Sequence, residues 1–553
     1  MGVQEKSPSV HSSESMTVVM NNDNSEKIDT SAGHGNLDPG SPQPEDGGVV
    51  TMPFKELILV FIGLMLGVFL SSLDQTIVSV CTNKIANEFN ALNDIPWIGT
   101  SYLLTSTAFQ PLYGRFSDIF GRKATFLFAT VVFLVGSALC GAAQDMTMMI
   151  LARAIAGIGG GGIMSMVMII IADLVSLRDR GKYQGIFGAT FGISSVIGPL
   201  LGGVFTDKAS WRWAFFINLP IGAITLAATI KLLHLPHTPG SFKEKVKRID
   251  FLGSISLICG LVLILLPLNW GGSTYEWDSP IVIGLFCAGV VVIGIFCLIE
   301  MKQASEPIIP FRLFRSRTNV AVLTTSFFIG MGFFGVMFFM PLFFQLVRQE
   351  SATSAGLEML PLIVGLLIAS IVSGFMVTKW GQYRPFIWIG LALSTIGTGL
   401  LVLLSEDSPR GMEIGFLFLN GLGLGLSMQT VMLAIQSSVA TKDIAVATAN
   451  ATFFRTVGSV FGVAISGTVF NNALKTNIGA LVAINPAVAG VIKDSYLAPT
   501  FGPDMEKLIL HAYMLSLRSA FTICIPFMGL AWFCSLFIQH HKLRKNAGPT
   551  PME

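Results

Sequence analysis

The sequence predicts an all-α integral membrane protein of fourteen transmembrane helices: two six-helix bundles with two further helices inserted centrally between them. Three observations carry that expectation. Of 553 residues, 52% are hydrophobic and only 12% charged. That is about half the charged share of a soluble domain, and no soluble core of this size hides so much apolar surface. From Leu57 onward, apolar runs of the length that crosses a bilayer, about 20 residues, follow one another with short polar breaks. Two glycine-rich signatures then recur later in the chain at one shared offset.

Residues 1–53 are rich in Ser, Asn, Asp, Gly and Pro and nearly free of aromatics. Such a segment buries too little apolar surface to offset its ordering entropy and is expected to be a disordered tail. It carries no basic stretch followed by an apolar core, which argues against a signal peptide and leaves membrane insertion to the first helix. The expected spans lie near 57–80, 95–113, 124–143, 147–172, 183–205, 213–233, 251–270, 280–300, 319–347, 354–378, 385–404, 412–437, 443–472 and 513–539. The first six fall in an N-terminal bundle, 54–233; the seventh and eighth lie in a linker region, 234–318; the last six fall in a C-terminal bundle, 319–540, followed by a tail, 541–553.

Loop charge sets the expected orientation. One alternating set of loops carries Arg115, Arg122 and Lys123; Arg178, Arg180 and Lys182; Lys243, Lys245, Lys247 and Arg248; Arg312, Arg315 and Arg317; and Lys379 with Arg384. The C-terminal tail, with Lys542, Arg544 and Lys545, belongs to the same set. The opposite loops are poorer in cations and hold Asp145, Glu276, Asp278, Glu406 and Asp407. The positive-inside rule therefore places the basic set and both termini in the cytoplasm. The longest outer loop is expected at about 473–512 and has no N-x-S/T site.

The internal repeat defines the halves. Gly114-Arg115-Phe116-Ser117-Asp118-Ile119-Phe120-Gly121-Arg122, after the second helix, is answered by Gly374-Phe375-Met376-Val377-Thr378-Lys379-Trp380-Gly381-Gln382, after the tenth. Gly157-Ile158-Gly159-Gly160-Gly161 in the fourth helix is answered by Gly421-Leu422-Gly423-Leu424-Gly425 in the twelfth. Both matches are offset by eight helices, so the first six repeat as the last six. Two such halves flanking a midplane site are a transporter plan. The polar chemistry is not repeated: Arg153 precedes Gly157 by four residues where Leu417 precedes Gly421, and Thr378 stands where the first half has Asp118.

Composition also excludes functions. A net charge of +2 is too small to point to nucleic acid. The seven cysteines (Cys81, Cys140, Cys259, Cys287, Cys297, Cys524 and Cys534) form no C-x-x-C pair and read as small apolar packing residues. No histidine lies deep in an apolar run, which leaves neither a metal site nor a histidine proton relay. There is no nucleophile–base set and no cofactor motif, so an enzyme is not expected. The G-x-x-x-x-G-K-[ST] loop is absent, so an ion gradient is the expected energy source.

At the loop Gly114–Lys123 the chain resembles the major facilitator superfamily, and within it the fourteen-helix drug:proton antiporters. Leu73-Asp74-Gln75-Thr76-Ile77-Val78 is similar to their first-helix motif, Arg153-Ala154-Ile155-Ala156-Gly157 to that of the fourth helix, and Gly198-Pro199-Leu200-Leu201-Gly202-Gly203 to the antiporter motif of the fifth. Trp211-Arg212-Trp213-Ala214-Phe215-Phe216-Ile217-Asn218-Leu219-Pro220 resembles the stretch entering the sixth helix. The chain departs at Ala156, Ser194, Ser79 and Cys81, where the family's motifs prefer other residues. The overall character resembles fungal members that export toxins and antifungal drugs. The resemblance implies proton-coupled efflux of small amphipathic compounds by a monomer in the cell membrane; a vacuolar carrier for basic amino acids or siderophores is the alternative.

A charge inside the bilayer costs at least ~2.5–3.5 kcal/mol at a helix centre, so each needs a reason. Asp74 and Arg153 each lie about six residues from the outer ends of their expected helices, and the resemblance makes those helices neighbours. Asp74 is expected to carry the coupling proton and Arg153 to tune it, since burial and a nearby guanidinium act on a carboxylate in opposite senses. The resemblance makes Gly114, Asp118, Gly121, Arg122 and Lys123 a conformational latch, and Gly198, Pro199, Gly202 and Gly203 a bend that closes a gate, with the proline breaking the fifth helix. Gln345, Gln429, Gln436 and Arg455 are candidate substrate contacts. Arg455 reads either as a partner for an anionic substrate or as a donor to backbone carbonyls. The run Met331–Met340 reads as an adaptable apolar surface or as packing, and Glu358 as a residue reaching the interface.

Overall fold

The computed structural model describes residues 54–541 and 543, except 92–93, 234, 236–238, 273–274, 303–305, 483–484, 487 and 489–500. The expected tail at 1–53, most of 541–553 and the cations Lys542, Arg544 and Lys545 lie outside the described residues. The described chain is helical, with one isolated bridge between Gly271 and Tyr275.

The first half comprises α1 (Phe54–Glu88), α2 (Ile95–Phe120), α3 (Arg122–Gly141), α4 (Met146–Leu174), α5 (Arg180–Lys208) and a sixth span formed by α6 (Trp213–Phe216) with α7 (Asn218–Leu232). A short helix, α8 (Phe242–Lys247), leads to the inserted hairpin α9 (Phe251–Trp270) and α10 (Pro280–Lys302). The second half comprises α11 (Arg317–Leu346), α12 (Ala352–Leu357) with α13 (Leu360–Trp380), α14 (Arg384–Leu401), α15 (Arg410–Ser438), α16 (Ile444–Val482) and α17 (Pro503–Ser535).

Thirteen of these stretches are long and apolar enough to cross a membrane. The fourteenth expected span, α2, is 26 residues long but less apolar, because Ser101, Ser106, Thr107, Gln110 and Ser117 are buried against protein instead of facing lipid. Four helices outrun their expected ends; α2 runs to Phe120, so Gly114–Phe120, expected in a loop, is helix and only Gly121 turns the chain. α1 continues to Glu88, α16 to Val482, and α17 begins at Pro503, so the expected loop 473–512 is largely helix at both ends.

The repeat is visible in the packing. A Cβ on Gly157 would fall 2.3 Å from the Tyr102 carbonyl of α2, one on Gly159 2.3 Å from the Phe133 amide of α3, and one on Gly161 2.6 Å from the Ser106 carbonyl of α2. In the second half, Gly421 meets Leu362 of α13, Gly423 meets Ser394 of α14 and Gly425 meets Leu366 of α13, at 2.0, 2.3 and 2.2 Å. Each glycine helix is thus wedged between two others, with successive glycines serving alternate neighbours. In a bilayer, where lipid removes the hydrophobic drive for helix association, such close backbone approach is what holds helices together.

The two halves meet along two seams. At the end of the bundle that bears the basic loops, Gly114 of α2 lies against Ala445, Val446 and Ala449 of α16. On the other seam, Gly374 of α13 abuts Gly181 of α5, and Gly185 abuts Ser370. The inserted hairpin spans the α2–α16 seam. Leu257, Leu261 and Phe296 of the hairpin share a core with Ala108 and Leu112 of α2 and Phe453 of α16, and Trp97 of α2 stacks edge-on against Trp270. Trp277 donates to Thr468 of α16 at 3.0 Å, and Arg115 donates to the Pro307 carbonyl at 2.6 Å.

Candidate functional site

The fold brings together two charges that stand 79 residues apart in the chain. Arg153 donates from Nη1 to Asp74 Oδ2 at 2.6 Å, and Asp74 is fully shielded while Arg153 is 2% exposed. Local structure sets this pairing. Asp145 caps the start of α4 by accepting from the Met148 amide at 2.8 Å, and Gly157 and Gly160, just beyond Arg153, seat α4 directly on Tyr102 of α2. The guanidinium also donates from Nε to the Ile98 carbonyl at 3.0 Å and lies 4.5 Å from the centre of the Tyr102 ring. Removing one partner of such a buried pair leaves the other uncompensated, which costs about 3–5 kcal/mol.

A third member is invisible to charge-based sequence reading. Asn218, the first residue of α7, donates from Nδ2 to Asp74 Oδ1 at 3.2 Å and lies 3.2 Å from Ser137 Oγ. Its own Oδ1 is buried without a hydrogen-bond partner. Asn218 is held there by the tryptophan–arginine stretch before it. Trp211 donates to Glu88 at 2.6 Å, and Arg212 pairs with Glu88 at 3.0 Å while also donating to the Gly141 carbonyl at the end of α3. Tyr102 and Ser71 complete the surround, their hydroxyls 3.2 Å apart. The only sequence signal for Asn218 was its place at the close of that motif.

The antiporter-motif residues lie against the same helix as Asp74. A Cβ on Gly198 would fall 2.0 Å from Thr76 Oγ1, and one on Gly202 2.8 Å from the Ile77 carbonyl. Gly203 is half-buried beside them. Pro199 does not break α5: the helix runs unbroken from Arg180 to Lys208 with Pro199 inside it, since one lost hydrogen bond is tolerated where α1 supports the backbone. Pro199 instead faces Gly356 of α12, where a Cβ would fall 3.6 Å from its ring.

At the basic end, Arg122 gathers Asp118 at 2.6 Å and Asp173 of α4 at 2.7 Å, with Ser117 Oγ at 3.0 Å. Asp173 was not foreseen. Gly121 turns the chain at φ 94°, a left-handed geometry suited to glycine. Lys123 stands apart from this cluster and caps the end of α7 by donating to the Ile230 carbonyl at 2.8 Å. On the other seam Arg178 donates to the Thr378 and Lys379 carbonyls at 2.7 and 2.8 Å, where the C-terminal end of α13 attracts a cation.

The four candidate contact residues part company. Gln436 bridges the halves near the basic end: it accepts from Gln184 of α5 at 3.0 Å and donates to Thr448 of α16 at 3.2 Å. It therefore belongs to the closed seam. Gln345 is one residue from the far end of α11. Gln429 is buried deeper, with its Nε2 against Gly188 of α5 and its Oε1 without a partner. Arg455 lies deep in α16. The Met331–Met340 run is chiefly packing, with Gly332 against Met528 and Gly335 against Cys524 of α17. Glu358 pairs with the exposed Arg410 at 2.6 Å. No cluster of metal-ligating side chains occurs among the described residues.

Against known proteins, the model of the Major Facilitator Superfamily matches residues 64–463. An MFS-type efflux pump of a Fusarium species is 35% identical over 506 residues, covering 88% of each chain. An MFS-type efflux pump of Arthroderma benhamiae is 37% identical, covering 86% of this chain and 90% of its own. The aspyridones efflux protein of Neocamarosporium betae is 34% identical, covering 92% of each. Among solved structures, a human organic anion transporter superposes with a TM-score of 0.58 at 14% identity, over 88% of this chain and 100% of its own, a likeness of fold alone.

Proposed function

The chain belongs to the major facilitator superfamily, and from that premise we propose that it is a proton-coupled efflux pump exporting small amphipathic compounds by alternating access. It is a membrane transporter, not an enzyme. The relatives that share about a third of its residues and nearly its whole length are efflux pumps by name, and this supports the direction of transport.

The observation that carries proton coupling is the shielded Asp74, held by Arg153 and Asn218. When ionised, it accepts from both. When protonated, its O–H needs an acceptor, and the unpartnered Asn218 Oδ1 supplies one once the amide turns over. The same three side chains thus satisfy both protonation states, as a carboxylate that loads and releases a proton in each cycle requires. Each proton moved down a membrane potential supplies ~2.3 kcal/mol per 100 mV.

In this reading the basic loops and both termini face the cytoplasm of the plasma membrane and the protein acts as a monomer. The described state is closed on the cytoplasmic side, along Gly114–α16 and Gly181–Gly374. The Asp118–Arg122–Asp173 cluster, within the first half, acts as the latch by bracing the end of α2 that closes on α16, and the Gly198/Gly202 contact couples α5 to the helix carrying Asp74.

The test uses inside-out vesicles, a panel of fluorescent amphipathic dyes and an imposed pH gradient. Gradient-dependent accumulation that a protonophore collapses, and that Asp74→Asn abolishes while remaining folded and membrane-delivered, is the expected result. Undiminished gradient-driven accumulation by Asp74→Asn overturns the proposal.

A further inference from the structure

Every buried carboxylate among the described residues has a partner. Asp74 has Arg153 and Asn218, Glu413 has Arg348, Asp443 has Arg312, and Glu300 accepts from the Ile308 amide at 2.9 Å. The buried Arg180 likewise donates to the Ala172 and Val175 carbonyls. Arg455 has no such arrangement: among the described residues its guanidinium makes no hydrogen bond and no ion pair, and no charged group faces it. Its place makes this unusual. It lies eleven residues inside α16 from Ile444, about 16 Å along the axis at 1.5 Å per residue, near the middle of a membrane. A guanidinium cannot shed its proton to escape the expense of that position.

The surroundings suit a ligand. Thr448, Thr452, Arg455, Ser459 and Ser466 are spaced to lie on one face of α16, and the four hydroxyl residues of that stripe are all buried. The Thr448 end of the stripe reaches the other half through Gln436 and Gln184, while Ser459 and Ser466 at its far end pack against α11 and α17. Arg455 is only half-buried, so part of its side chain stays accessible. The same helix is rich in aromatic residues: Phe453 and Phe454 directly precede Arg455, and Phe461 packs at a tilt against Phe327 of α11 with centroids 5.8 Å apart. Gln429, nine residues from the end of α15 and so at a comparable depth of about 13 Å, turns an unpartnered amide oxygen inward.

We propose that Arg455 is the anchor for the acidic head of the transported compound, and that the preferred substrates are amphipathic organic monoanions. This rests on reading the chain as an efflux pump. A carboxylate, enolate or sulfonate would accept from the planar guanidinium fork, and the apolar body would lie on the phenylalanine rings. A cationic substrate would meet a like charge with no free carboxylate to offset it, which also sets this chain apart from a carrier of basic amino acids.

Three probes with one ring body test this: pyrenebutyrate, pyrenebutanol and pyrenebutylamine, titrated into the purified full-length protein by fluorescence. The anion is expected to bind at least about tenfold more tightly than the alcohol, with the amine weakest. Arg455→Gln should remove about tenfold of the anion's affinity and leave the alcohol's within about twofold. Equal binding of the three, tightest binding of the amine, or an anion preference untouched in Arg455→Gln overturns the assignment. Where Arg455→Gln is not recovered folded, the wild-type ranking alone decides. Asp74→Asn should keep the anion preference, so a protein that binds anions without proton-driven flux, or the reverse, separates this inference from the coupling proposal.

Discussion

α4 and α15 are the same piece of architecture put to different use. Both carry glycines at alternate positions that meet first one neighbour and then another at backbone distance. Both are almost wholly buried along their inner stretch. Yet four residues before the first glycine, α4 places Arg153 against Asp74, while α15 places Leu417, fully shielded by apolar packing. The second half keeps its deep charge elsewhere, as the unpaired Arg455 of α16. Packing in this chain is set by glycines that both halves share, whereas chemistry is set by single substitutions on that common frame.

That contrast can be broken most severely at Arg153. Arg153→Leu makes α4 like α15 but strands Asp74, and should cost about 3–5 kcal/mol of stability in thermal unfolding. Adding Asp74→Asn should recover a large part of that loss without restoring gradient-driven flux. A stable Arg153→Leu single variant would mean that the carboxylate is accommodated without its partner.

The shared frame gives a smaller effect that should be equal in the two halves. Gly159→Ala and Gly423→Ala each drive a methyl to 2.3 Å from a neighbouring backbone amide, and each should lose about 1–3 kcal/mol, read from melting temperatures in detergent. Clearly unequal losses would show that one half tolerates displacement and that the likeness is only of sequence.

The smallest effect expected is at the link between halves. Gln184→Leu removes the hydrogen bond to Gln436 and should weaken the closed basic end by about 0.5–1.5 kcal/mol. Faster labelling of a cysteine introduced at Ala445 would report it, and unchanged labelling would show that the glycine contacts alone hold that end shut.

Much of this was legible in the sequence because a bilayer imposes strict terms. Spans declare themselves by apolar length, and Asp74 and Arg153 stand out because charge in an apolar run is expensive. The helix beyond residue 80 in α1 and beyond residue 472 in α16 was not legible, since helix outside the most apolar stretch carries no hydropathy signal. Asn218 was missed because a neutral amide in an apolar run raises no alarm. Gln436 falls in the seam because a glutamine's type does not reveal its depth, and the seven residues of helix that separate it from Gln429 carry it to the basic end. Arg455 was visible as a charge, but its lack of a partner is a property of three dimensions alone.

The inserted hairpin has a mechanical consequence. It is bound to α2 through Trp97 against Trp270 and to α16 through Trp277 and Thr468, and Arg115 of α2 holds the Pro307 carbonyl just beyond it; the α5–α13 seam instead relies on direct contacts, Gly181 on Gly374 and Arg178 on the end of α13. Two boards bound along one edge by a third piece and meeting directly along the other swing like the covers of a book. The spine of this book is α9 and α10, and its pages fan widest where Gly181 meets Gly374.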